Sequence, residues 1–188
     1  MVRVITKEEL KLNPILLEEL KKGVFIYPTD TIYGIGCDAT NEHLVQRVRE
    51  IKNRHEQPFS VIIPNKNMIF ENCNAEEPSR EWIDKLPGPY TLIFSVKKHF
   101  LARNVNPNNH TAGIRIPNHW FTEFVKQMKV PVVTTSVNRS GEDFMTSLDD
   151  LNPEIRKSVD FIIEDGALKG KPSTVVHLEQ ESVEIKER

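Results

Sequence analysis

Short, β-prone apolar runs punctuate this chain, and helical patterns fall between them in no fixed order. That irregular interleaving constrains the fold most. Strict strand–helix alternation would give an all-parallel sheet, and separate blocks of strands and helices would give separate layers or domains. The pattern here predicts an open α/β (α+β) sheet, part parallel and part antiparallel, with flanking helices. Val24 to Tyr27 (closed by Pro28), Phe59 to Ile63 (closed by Pro64), Thr91 to Val96, Gly113 to Ile116 and Val130 to Thr135 read as strands. Phe161 to Ile163, Thr174 to Leu178 and Ser182 to Ile185 read as late strands. Thr6 with Glu9 forms a capping box, and Asn13–Pro14 opens a helix that stops at Gly23. A helix from Thr40 or Asn41 to Lys52 places Leu44, Val45, Val48 and Ile51 on one face. Further helices are expected over Ser79–Leu86, from an Asn118 cap to about Met128, and over Leu148–Ser158, while Thr29 to Ala39 reads as a polar loop.

Length and charge narrow the function classes. A chain of 188 residues with 38% hydrophobic content suits a single domain over 1–188 with its own core. The formal net charge is -2, so bulk electrostatics do not recruit nucleic acid, and any anionic ligand needs a local cluster of cations. Cys37 and Cys73 are too few for a disulfide framework. The six histidines are scattered without HxxxH or HExxH spacing, so no metal site built from protein side chains is expected. The first residues, MVRVITKEEL, contain no apolar signal region, and no run is long enough to span a bilayer, so a cytoplasmic location is expected.

Several motifs carry possible chemistry. Gly34-Ile-Gly36-Cys-Asp-Ala39 fits GxGxxA, but Thr29 to Tyr33 separate its first glycine from the strand, against a dinucleotide fold. Gly166 to Pro172 resembles a phosphate loop that is one residue short and has proline where Ser or Thr should hold magnesium; it reads as a surface turn. Thr29, Thr31 and Tyr33 offer hydroxyls at a strand end, suited to a small polar substrate. Lys52-Asn53-Arg54 leaves a helix C-terminus, where cations complement the dipole or converge on one anion. Thr134 to Gly141 sets hydroxyls and amides directly after a strand, as in phosphate recognition or a self-capping turn. Arg115 alternates with Ile114 and Ile116, on a polar face or as a buried anion partner.

In order, FIYPTDTIYGIGCDA, the helix ending in KNR, PGPYTLIF, AGIRIP, VVTTSVNRSG and the tail PSTVVHL…VEIKER resemble the YrdC-like family of threonylcarbamoyl-AMP synthases, from about Leu10 to Arg188. The resemblance implies a twisted open sheet around a concave basic cleft. It implies synthesis of threonylcarbamoyl-AMP and pyrophosphate from L-threonine, bicarbonate and ATP with magnesium. A partner transferase would then carry the threonylcarbamoyl group to tRNA, whose direct contact with this chain is not required. By match, Lys52 and Arg54 are the catalytic Lys-x-Arg pair, and Thr31, Arg115 and Ser136 meet the threonine. Lys52, Arg54, Thr111, Asn138, Thr146 and Arg188 hold ATP. The alternative is a non-catalytic YrdC-like module that binds RNA, against which the net charge counts. Related YrdC-like domains also occur in hydrogenase-maturation proteins, whose zinc-finger-like cysteine motifs this sequence lacks. Two departures stand out. The segment from Arg54 to Pro58 is short for the family, and Ile62 stands where some relatives have a threonine-contacting histidine, leaving His55 as a nearby substitute.

Overall fold

The computed structural model describes residues 2–107, 110–180 and 182–187. Ten strands form one open mixed sheet. In chain order they are β1 (Arg3–Ile5), β2 (Phe25–Tyr27), β3 (Gly34–Gly36), β4 (Ser60–Ile62), β5 (Tyr90–Ser95), β6 (Thr111–Arg115), β7 (Val132–Ser136), β8 (Phe161–Ile163), β9 (Thr174–His177) and β10 (Glu184–Lys186). Across the sheet the order is β1-β8-β2-β3-β7-β4-β6-β5-β9-β10. Parallel pairs (β1–β8, β2–β8, β4–β6, β5–β9) are mixed with antiparallel ones, as the irregular pattern predicts. The helices are α1 (Lys7–Leu12), α2 (Ile15–Leu20), α3 (Glu42–Lys52), α4 (Asn67–Asn72), α5 (Glu77–Asp84), α6 (Phe121–Met128) and α7 (Pro153–Ser158). None is long and apolar enough to cross a membrane.

Period-two alternation along the strands sorts the side chains onto two faces. Val61, Ile63, Leu92, Phe94, Ala112, Ile114 and Val133 bury one face against Leu44, Val45 and Val48 of α3, Ile69 of α4, Ile83 of α5 and Ile155 of α7. On the opposite face, Phe25, Tyr27, Ile62 and Val132 meet α1, α2 and α6 through Leu10, Leu16, Leu20, Phe121 and Val125. That second cluster covers only part of its face. Beyond it the same strands present Ser60, Thr134 and Gly113, with Ser60 paired to both neighbours.

Local chemistry explains where the elements depart from expectation. The Thr6–Glu9 capping box is present, but the helix expected from Asn13 to Gly23 is only α2, a short piece after a break at Asn13. The Leu148–Ser158 segment is likewise two pieces, a 3-10 turn at Leu148–Asp150 and then α7, which has Pro153 at its first position. Asn118 caps nothing. Helix α6 begins at Phe121, and the Asn118 amide donates to Asp30 instead. Helix α4 carried no sequence expectation.

The Thr29–Ala39 loop contains β3, which its composition conceals because two of three strand residues are glycine. The glycines are required. A Cβ at Gly36 would sit 1.8 Å from the Val133 carbonyl oxygen, and one at Gly34 would sit 3.0 Å from the Tyr27 ring. Tyr27 lies fully buried and donates its hydroxyl to that same Val133 carbonyl at 2.9 Å. We expect Tyr27→Phe to lower stability by ~1–3 kcal/mol, the cost of leaving a buried acceptor unpaired. Gly36→Ala should cost more, since backbone must move. Urea midpoints compared at constant m-value test both.

Candidate functional site

Helix α3 is capped by Asn41, whose Oδ1 accepts the Leu44 amide, and it ends at Asn53 in the left-handed region (φ 50°, ψ 48°). That single reversed residue brings Lys52 and Arg54, on either side of it, to the same neighbour, the end of β7. Lys52 is 2% exposed. Its Nζ donates to the Ser136 carbonyl, to the Asn138 carbonyl at 2.8 Å and to Asn138 Oδ1 at 3.0 Å. Ser136 Oγ donates to the same Oδ1, and Asn138 Nδ2 donates to the Glu142 carbonyl at 2.7 Å. Lys52 therefore ties down the turn 136–138. Burial first, and then the Arg54 charge, pull its amine down to about 7.

Arg54 spans β7 and its own loop. Nη1 donates to Thr135 Oγ1 at 3.4 Å and Nη2 to the Pro58 carbonyl at 2.8 Å, with the guanidinium 5.3 Å from the Phe59 ring centre. The shortened loop has an organiser that sequence reasoning missed. Arg49 is 3% exposed, and its guanidinium donates to the carbonyls of Arg54, His55 and Gln57 at 3.0, 3.0 and 3.2 Å, and to those of Asn104 and Val105. A burial signal was present in the α3 pattern, since Arg49 follows Val45 and Val48 on the inner face, but arginine at a helix end has an ordinary solvated reading. His55 is exposed and pairs with Asn53 Oδ1 at 3.2 Å. Ile62 lies in the apolar cluster under α6.

The second group centres on Arg115, 7% exposed. The reading as a buried anion partner holds. Its Nη2 donates to Asp30 Oδ1 at 3.1 Å and to Thr31 Oγ1 at 3.0 Å. Thr29 donates to the Ile32 carbonyl at 2.7 Å, which leaves the Thr31 hydroxyl to donate to Thr29 across 2.9 Å. Asp30, which sequence alone assigns to turn chemistry, thus neutralises a buried arginine.

Between the two groups lies a cavity of about 150 Å³. Arg115 and Ser136 line it, as do Tyr33, Ser60, Thr134 and Thr135. So do Thr91 and Ser173, whose hydroxyls are 2.7 Å apart and which sequence reasoning did not select. Period-two spacing in β5 could have marked Thr91, and Ser173 lies in the PSTVVHL motif, from which no site residue was drawn. The wall is completed by the segment read as a surface turn. Tyr33 donates to the Gly166 carbonyl, a Cβ on Gly170 would sit 2.0 Å from the Thr31 carbonyl oxygen, and Pro172 and Ser173 face the cavity. The GxGxxA glycines belong to β3 and hold no nucleotide loop.

Of the other expected residues, Thr111 stands at the opposite end of β6 from Arg115. Thr146 donates its hydroxyl to Asp150 at 2.6 Å, while its carbonyl accepts the Leu168 amide. Arg188 lies outside the described residues. Cys37 and Cys73 are free and buried in the core, away from this cavity.

An open mixed sheet flanked by helices is a fold shared with solved structures of a known family. The Sua5/YciO/YrdC family model, described as "Telomere recombination", matches residues 18–188. The chain belongs to this family. A putative threonylcarbamoyl-AMP synthase of Methanocaldococcus jannaschii is 35% identical over 94% of this chain and 85% of the relative. The human threonylcarbamoyl-AMP synthase is 32% identical over 76% of this chain, which spans about half of it (53%). Among solved structures, P. abyssi Sua5 complexed with L-threonine superposes with a TM-score of 0.83 at 23% identity, covering 98% of this chain and 56% of that one. E. coli YciO superposes with a TM-score of 0.86 at 23% identity, covering 98% and 94%.

Two predictions follow from the buried cations. Between about pH 7 and 10.5 the unfolded chain keeps a lysine proton that folded Lys52 has lost, so stability should rise with pH by up to ~1.4 kcal/mol per unit. Below pH 7 both states hold the proton and this slope vanishes. The difference in unfolding free energy between the wild type and Lys52→Met across this window measures it, and a constant difference would refute it. Arg49→Met strips hydrogen bonds from a charged donor to the 54–57 loop and should cost ~2–4 kcal/mol in thermal or denaturant unfolding.

Proposed function

We propose that this chain is an L-threonylcarbamoyladenylate synthase, a nucleotidyltransferase making threonylcarbamoyl-AMP and pyrophosphate from L-threonine, bicarbonate and ATP. The observation that supports this reading best is the adjacency of the small hydroxyl-lined cavity to the Lys52–Arg54–Ser136–Asn138 cluster, with Ser136 shared between them. At about 150 Å³ the cavity has the size to take a small molecule such as an amino acid. L-Threonine would place its carboxylate toward Arg115, which Asp30 and Thr31 orient, with its hydroxyl among Ser60, Thr91, Thr134 and Ser173. The threonine bound by P. abyssi Sua5, in the same fold, and the names of the curated relatives agree with this substrate.

In the reaction, threonine's amine and bicarbonate condense to a carbamate with loss of water. A carbamate oxygen then bonds to the α-phosphorus as the bond to the departing pyrophosphate breaks. Carbamates are short-lived, so the cavity serves the step by holding this nucleophile beside the phosphate and away from water. Arg54 would stabilise the charge growing on phosphate oxygens, and Ser136 and Asn138 would position them. Lys52 would keep that turn in place and, with a phosphate alongside, regain its proton. Thr111, Thr146 and Arg188 are the further nucleotide contacts that the family match implies. Magnesium would enter with ATP as part of the substrate and supply phosphate charge neutralisation. Among the described residues no three His, Cys, Asp or Glu side chains group as a resident metal site. The product would pass to a transferase that modifies tRNA.

Pyrophosphate release from ATP by the purified protein, with bicarbonate and magnesium, should require L-threonine. Arg54→Ala should slow it ~10²-fold or more. Serine should substitute partially, because one methyl is worth ~1–3 kcal/mol, whereas 2-aminobutyrate, which leaves the cavity hydroxyls unpaired, should be rejected more strongly. Threonine-independent release, or near-normal turnover by Arg54→Ala, would overturn the assignment.

A further inference from the structure

A cavity of about 340 Å³ lies apart from the threonine cavity and is bordered by Thr111, a residue that the family match assigns to the nucleotide. It lies within the β5–β6 connection. That connection is anchored to the fold: the Val96 amide donates to the His110 carbonyl, Lys97 to Asn72, Ala102 to Ala39, and Phe59 to Val105. Asn106 closes the turn by donating from Nδ2 to the Thr111 carbonyl and hydroxyl at 3.0 and 3.2 Å. The cavity is therefore a fixed feature of the fold, in the size range of ligand pockets.

Its wall has two kinds of chemistry. Phe100, Leu101, Ala102 and Val105 give an apolar floor, and Lys98, His99, Arg103 and His110 stand around the rim. No acidic residue lines it. Some exposed cations sit beside carboxylates, as Arg3, Lys21, Arg80, Lys85 and Lys126 do. Among the described residues, Lys98 and Arg103 have no such carboxylate. The His99 and His110 rings are 6.0 Å apart and tilted by 50°, so their edges can address one small group from two directions. In a protein of net charge -2, a rim of two cations and two imidazoles over an apolar floor suits a ligand with an anionic end and an apolar body. Several diverging donors match three terminal oxygens better than the two of a carboxylate.

We propose that this cavity is a second binding site, for a phosphomonoester with an apolar body, separate from the threonine cavity and its nucleotide. Phenyl phosphate is the probe, with phenol as its uncharged control, titrated into the intact protein while ring signals of His99 and His110 are followed by NMR. The expected result is saturable shifts of both rings with phenyl phosphate and none with phenol. Lys98→Gln/Arg103→Gln should weaken binding by ~10-fold or more, corresponding to about 1.4 kcal/mol, and leave threonine-dependent pyrophosphate release intact. Absence of saturation at millimolar probe, or equal affinity in the double variant, would overturn the site. Displacement of the probe by ATP with threonine would overturn its separateness and assign the cavity to the nucleotide.

Discussion

Incomplete coverage of one sheet face is the constraint on which the rest of this structure depends. Helices α3, α4, α5 and α7 bury one face, while α1, α2 and α6 bury only part of the other. Strands β7, β4, β6 and β5 must therefore change character along their length on that second face. Val132 and Ile62 serve the covered part, and Thr134 and Ser60, two residues away on the same strands, serve the open part. The cavity is the place where this change occurs.

Buried cations then give the open strip its rigidity. Arg49 and Lys52 lie on the same helix and are equally inaccessible, yet they hold different segments: Arg49 the 54–57 loop, Lys52 the 136–138 turn. Each replaces lost hydration with backbone carbonyls, which is the condition for keeping such groups inside a protein. Arg115 solves the same problem with a carboxylate, Asp30. The Arg49 and Arg115 guanidiniums and the Lys52 amine are accordingly held in place by partners within the protein.

The mixed sheet was legible because alternating and helical periods are strong over Phe59–Ile63, Gly113–Ile116 and α3. The glycine-rich β3 was not, because its reason for existing is the Tyr27 ring and the Val133 carbonyl, both remote in sequence. The gathering of Lys52, Arg54, Ser136 and Asn138 followed from the ordered motifs. The burial of Arg49 and the pairing of Arg115 with Asp30 did not, since a charged residue at a helix end or turn looks the same in sequence whether it faces water or carbonyls. Ser173 shows the limit most clearly. It lies in the PSTVVHL motif, but only the pairing of β9 with β5 brings its hydroxyl to Thr91.

The contact between Gly170 and the Thr31 carbonyl joins segments from opposite ends of the chain. During synthesis from the N-terminus, the loop after β2 leaves the ribosome long before the segment that closes over it. The cavity therefore has no far wall until β8 has paired between β1 and β2 and the chain has turned back toward β9. Enclosure of this cavity thus depends on residues late in the sequence, so a chain cut short before Gly166 would keep Lys52, Arg54 and Arg115 without the wall that the 166–173 segment supplies.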